Sequence, residues 1–292
     1  MKVAIVTAIR FLAVTILYFI CFAFVSGALL STAIEQPAPA DASATLLPLL
    51  IVSLINAAVW TYVILRSRWS GWKLVMTVFL VSYGVSTVMS QIETAYFVTR
   101  LPPGVLARLF LAGMLTSVLF APLAVLFHGK FKSQPNEKVR ESRLSMPVRA
   151  WIVKLCLIVI VYVFLYFTFG YFIAWRNPAV QAYYGGTDPG SFISHITNLL
   201  RSEPLLFLLQ AGRALLWTVI AVPVIQMTKG KWWEAGLAVA LLFGVFMNSL
   251  LLLPNPLMPA EVRMAHLVET ATSNFLFGWL IVLILRARIS SS

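Results

Sequence analysis

Two carboxylates, two guanidiniums and an imidazole fall where water is scarce: Glu93, Glu269, Arg108, Arg213 and His266 lie within or at the edge of long apolar runs. Ionisable side chains in such runs are costly, and they persist by facing one another or a water-filled cavity, so each is a candidate functional residue. His266 precedes Glu269 by three positions, which places both on one helical face. Three kinds of chemistry are open to this set. Arg213 can pair with Glu269 or Glu93 and Arg108 with the other, since an unpaired charge in hydrocarbon costs several kcal/mol. The arginines can instead meet the anionic group of a bound solute while Glu93 and Glu269 take a cation or a proton. Finally, Glu93, His266 and Glu269 can hold a divalent metal or do acid–base work on a lipid-linked substrate, although His-x-x-Glu alone is a common pattern.

Other chemistries are excluded by what the chain lacks. It has no Gly-x-Ser-x-Gly elbow, no His-Glu-x-x-His zinc helix and no Walker loop. Its only aspartates, Asp41 and Asp188, lie outside the apolar runs. Cys21 and Cys156 both fall inside apolar runs, where a thiol acts as a packing residue, so no disulfide framework is expected.

The elements that must position these groups are membrane spans. The 292 residues are 60% hydrophobic and 11% charged, against about 25% charged in soluble domains. With about 20 apolar residues needed per span, eight segments qualify: 5–30, 46–65, 73–92, 105–127, 151–174, 205–227, 233–253 and 267–285. The first of them, flanked by Lys2 and Arg10 and followed by Ser31-Thr32-Ala33, has the outline of a secretory signal. Its apolar run continues through Leu30, long enough to cross a bilayer, so we read it as the first span.

A net charge of +12 need not mean nucleic acid, because the basic residues mark topology. Sixteen of the 22, including all eight lysines, sit at alternate span ends: Lys2, Arg10, Arg66, Arg68, Lys73, the cluster from Lys130 to Lys154, Lys229, Lys231, Arg286 and Arg288. The opposite connections hold seven of the ten acids, among them Glu35, Asp41, Glu203 and Glu261. The positive-inside rule then puts both termini in the cytoplasm of a plasma or bacterial inner membrane. The basic 130–154 segment, with Lys132, Lys138, Arg140, Arg143 and Arg149, lies beside that membrane and is expected to attract anionic inner-leaflet lipid, with no nucleic-acid role.

Depth follows from 1.5 Å of rise per helical residue: Glu269 stands about 25 Å above Arg286, Arg213 about 24 Å above Lys229, and Glu93 and Arg108 each about 30 Å above their inner ends. Gln210 lies one turn outward of Arg213, and Asn56, Asn248 and Asn274 lie nearer the midplane. The polar groups therefore gather in the outer half of the membrane. The expected substrate-binding set is Glu93, Arg108, Gln210, Arg213, Asn248, His266, Glu269 and Asn274.

The chain also echoes itself. Asn56-Ala-Ala-Val-Trp60-Thr61 resembles Arg213-Ala-Leu-Leu-Trp217-Thr218; Arg68-Trp69-Ser-Gly-Trp72 resembles Lys231-Trp232-Trp233; Thr116-Ser117 resembles Thr272-Ser273. An even number of spans per copy makes these parallel repeats: 1–128, a basic cytoplasmic linker at 129–146, and 147–292 with a long outer loop at 176–203. Within that loop, residues 192–200 have the spacing of a short helix on the membrane face. Span glycines Gly84, Gly113, Gly170, Gly212, Gly236, Gly244 and Gly278 read as close-approach points between helices.

The expected architecture is thus an all-α integral membrane protein of about eight transmembrane helices in two parallel four-helix repeats, N-in and C-in. The first expected function is binding or transport of a small polar or ionic substrate through an outward-facing intramembrane pocket. A membrane-embedded enzyme acting on a lipid or lipid-linked substrate from the outer face is the alternative, and a non-catalytic assembly subunit is the third class.

Overall fold

The computed structural model describes residues 2–31, 43–98, 101–132, 144–186, 188–255 and 257–287. Eight helices among them are long and apolar enough to cross a membrane. They are α1 (Lys2–Leu30), α2 (Ser43–Arg66), α3 (Gly71–Phe97), α4 (Val105–Phe127), α5 (Val148–Ala174), α8 (Pro204–Met227), α9 (Trp232–Leu252) and α10 (Ala260–Arg286), with two short helices, α6 (Pro178–Tyr184) and α7 (Phe192–Ser202), between α5 and α8. The chain is an all-α multipass membrane protein. Glu35, Asp41, Lys138, Arg140, Arg143, Arg288 and the Thr32-Ala33 pair lie outside the described residues.

Helix boundaries follow local chemistry. Pro178 and Pro204 open α6 and α8 at positions where a missing N–H is harmless. The Asn177 side chain accepts from Ala179 N and that of Ser191 from Ser194 N, each satisfying an orphan donor of the first turn. At the start of α9, Lys231 N donates to the Glu234 carboxylate, which also meets Arg66 at 3.1 Å.

In the first half, α1 packs on α2 and α4, and α3 packs on α4; in the second, α5 packs on α8 and α10, and α9 packs on α10. Across the halves, α2 lies against α9 and α3 against α8. The α2–α3 and α8–α9 turns meet as an antiparallel bridge between Ser67 and Thr228, with Arg68 N donating to Met227 O (2.7 Å) and Lys229 N to Arg66 O (2.8 Å). Above this junction the core is apolar and aromatic, with Trp60, Trp217, Phe120, Phe243 and Phe277 fully buried.

Two expectations about small and basic residues need correction. Six of the seven span glycines mark close approaches or pack beside a side chain: a Cβ on Gly278 would lie 2.6 Å from Ala240 Cα, and one on Gly244 would lie 2.8 Å from Ala271 O. A Cβ on Gly113, Gly236 or Gly84 would press on Thr87, Trp279 or Ile220. A Cβ on Gly170 would lie 3.3 Å from Glu269 Oε1, a tight contact, but Gly212 faces open space and is no packing point. Lys154 is not a lipid-facing cation either, because it is buried and donates to Leu285 O at 2.7 Å, satisfying a carbonyl at the end of α10.

Candidate functional site

Five span helices and one short helix bring these polar groups together. On α8, Arg213 is 2% exposed and its Nη1 donates both to Glu93 of α3 and to Gln210 Oε1 at 2.8 Å. Its guanidinium lies over the Tyr162 ring of α5, 5.9 Å from the centroid. Tyr162 and Tyr166, one turn apart, face the same charges.

On α10, His266 Nδ1 lies 2.8 Å from Glu269 Oε2, so the i, i+3 spacing becomes a direct contact. The other ring nitrogen, Nε2, meets the hydroxyl of Tyr184 at 3.1 Å. Tyr184 ends α6, outside the spans; burial, then the Tyr183 and carboxylate charges nearby, hold its phenol above the ordinary value. The phenol thus ties α6 to His266 Nε2 while Nδ1 faces Glu269. Tyr183 secures the same helix by donating to Leu257 O at 2.6 Å.

Glu93, Arg213 and Glu269 line one small cavity with Tyr162, Leu165, Tyr166, Thr270, Ser273 and Asn274. Its volume of about 10 Å³ is close to the minimum for a single water. Two buried donors beside it, Arg213 Nε and Gln210 Nε2, have no acceptor among the described residues. Thr270 donates to Asn248 Oδ1 at 2.6 Å, and Asn248 Nδ2 donates to Gly244 O at 2.9 Å, closing the floor on the α9 side.

Of the eight residues expected in the site, Glu93, Arg213, Glu269 and Asn274 line the cavity, Gln210 and His266 each bond to a lining residue, and Asn248 joins through Thr270. Arg108 does not join them: it is exposed on α4, reaching toward Leu29 O of α1 at 3.4 Å. Glu269 therefore takes His266, not Arg108, as its partner. Glu93 meets Arg213 although it was placed one or two turns further out. Counting about 1.5 Å of rise per residue treats each span as a straight, regular α-helix, and Gly84–Val88 of α3 departs from that as a π turn.

The three candidate metal ligands do not form a ligand set in this arrangement. Both His266 nitrogens are engaged and Glu93 is committed to Arg213. Among the described residues no group of three His, Cys, Asp or Glu side chains is placed to hold a metal ion. Residues not anticipated are Tyr162, Tyr166, Thr270, Ser273 and Tyr184; the Tyr pair at i, i+4 and the Thr270, Ser273, Asn274 stripe were visible signals, while Tyr184 depends on where α6 folds. Searches against family models, curated proteins and solved structures find no match to this chain.

Proposed function

We propose that this protein binds a small polar or ionic solute at the Glu93–Arg213–Glu269 cavity and passes it from the outer side of a cell membrane, with the Tyr184–His266 pair controlling the charge of Glu269. The observation that carries this reading is the convergence of two carboxylates and a guanidinium, from α3, α8 and α10, on one cavity with two unspent buried donors. Chains of carboxylate and imidazole inside a membrane serve as proton relays in pumps and transporters. A water-sized cavity is the closed form of such a site.

The same reading takes both termini as cytoplasmic, Lys132 and Arg149 of the basic segment as exposed contacts to anionic lipid, and the chain as two parallel four-helix copies. Three features support the duplication. The packing plan of α1–α4 recurs in α5 and α8–α10; the α2–α3 and α8–α9 turns pair antiparallel; and Tyr18 beside Asn56 has the counterpart Tyr162 beneath Arg213.

Reaction of an introduced thiol tests the site without knowing the solute. In a Cys21→Ala, Cys156→Ala background, Ser273→Cys is expected to react from the outer side with a membrane-impermeant methanethiosulfonate. Ser202→Cys, on the exposed end of α7, serves as the positive control. An inert Ser273→Cys beside a fully labelled Ser202→Cys reduces the cluster to a structural ion-pair network. The 2.8 Å His266–Glu269 contact also suits an acid–base pair of a membrane-embedded enzyme. That reading requires His266→Gln to abolish turnover of a lipid-linked substrate while leaving Ser273→Cys accessible.

A further inference from the structure

On the opposite flank of α5 from the polar cavity lies a second concavity of about 490 Å³, within the size range of ligand pockets. Tyr162 and Tyr166 turn toward the cavity; Val163 and Phe167, one residue further along, turn toward this groove. Every lining side chain is apolar, and Phe167 stacks on Phe207 of α8 at 4.4 Å across its floor. Phe192 and Ile196 of α7 form the third wall.

Two observations say what covers it. Ile160 (65%) and Phe164 (63%) of α5, which line the groove, and Leu208 (69%) of α8 beside it are largely exposed within membrane spans, so the medium touching the groove is hydrocarbon. The wall helix α7 has apolar residues at positions 192, 193, 196, 199 and 200, polar Ser194, Thr197, Asn198 and Arg201 opposite, and no buried residue. That pattern belongs to a helix lying in the headgroup plane. We propose that the groove between α5, α7 and α8 is a binding site for one acyl chain of a phospholipid, whose headgroup sits beside α7 near Arg201. The site differs from the general lipid belt because three helices wall it, and an unfilled space of this size would forfeit the dispersion contacts of its aromatic lining.

The proposal is independent of the solute reading and is tested without it. Protein extracted in mild detergent is analysed by native mass spectrometry as wild type, Ala211→Phe, Ile196→Trp and Val219→Phe. Ala211→Phe and Ile196→Trp fill the groove from α8 and from α7, so a folding defect in one does not decide the result. Val219 is an exposed α8 residue outside the groove (68%) and controls for added bulk. Wild type and Val219→Phe are expected to retain one phospholipid per chain. Both groove-filling variants should retain less by on the order of tenfold, the effect of displacing about two buried methylenes. Equal retention in all four proteins, or detergent alone in the wild type, overturns the proposal.

Discussion

Removing the Glu93 charge is expected to damage the protein more than removing Arg213, its partner. Breaking a buried ion pair from one side costs about 3–5 kcal/mol, because the remaining charge is left uncompensated. The two survivors are not equivalent here. Glu93→Gln strands a guanidinium that is 2% exposed, whose remaining hydrogen bond of its own goes to neutral Gln210. Arg213→Met strands a carboxylate that is 25% exposed and borders a cavity able to hold a water. We therefore expect about 3 kcal/mol for Glu93→Gln, the lower end of the range because that side is partly solvated, and about 1–2 kcal/mol for Arg213→Met. The double variant, with neither charge, should recover most of the Glu93→Gln loss, as apolar replacements of buried pairs do. Reversible unfolding in mixed micelles of mild detergent and dodecyl sulfate, followed by the fluorescence of the nine tryptophans, reads all three. A Glu93→Gln loss smaller than that of Arg213→Met, or a double variant worse than either, refutes the burial argument.

Tyr184→Phe removes the hydrogen bond between α6 and His266 and should raise the labelling rate of Ser273→Cys about fivefold, the equivalent of about 1 kcal/mol for one net hydrogen bond; an unchanged rate means α6 does not cover the site. His128, just past α4, is buried between Ala124 O (2.7 Å) and Thr61 Oγ1 (3.2 Å), and burial, together with nearby Arg10 and Lys130, lowers its pKa from the ordinary 6.5. The unfolded chain then takes up this proton first, so its contribution to stability is complete above pH 6.5 and is lost as pH falls toward the depressed folded value. Unfolding midpoints from pH 8 to pH 5 should fall more steeply in the wild type than in His128→Gln, and parallel profiles would contradict this. Gly278→Ala, whose Cβ would press on the Ala240 backbone, should cost about 1–3 kcal/mol in the same unfolding assay. Gly212→Ala, into open space, should fall within about 1 kcal/mol of the wild type.

The spans were legible because length and apolarity are one-dimensional properties. Most helices begin and end within three residues of the stretches chosen from sequence; α3 runs five residues further, to Phe97, and α10 starts seven residues earlier, at Ala260. Those first two turns carry Glu261, Arg263 and His266, so a hydropathy threshold trims them, although Pro259 marks the true start. Candidate site residues were legible for a related reason: a charge within an apolar run stands out wherever the run folds. Pairing was not legible. It depends on helix rotation, and Arg213 selects Glu93 over Glu269 through the packing of α3 on α8, which no local spacing encodes.

The three π turns show where the one-dimensional reading fails and what the failure implies. Gly84–Val88, Gly170–Ala174 and Leu241–Phe246 each insert a wide turn into a span, and none has a proline to announce it. Each includes a glycine or begins with one, and two of them adjoin the site. Gly170 opens the π turn of α5 against Glu269, and the Leu241–Phe246 turn presents Phe243 O and Gly244 O to Asn248. A π turn costs backbone hydrogen-bond quality and recurs at functional positions. In α3 and α9 it rotates the part of the span after the turn about its own axis relative to the part before it. The part before the turn can keep a fully apolar face while the part after it brings Glu93 of α3 or Asn248 of α9 inward. A regular α-helix would carry one face along its whole length and could not serve both parts of the core, so the turns of α3 and α9 reconcile its apolar part with its charged part.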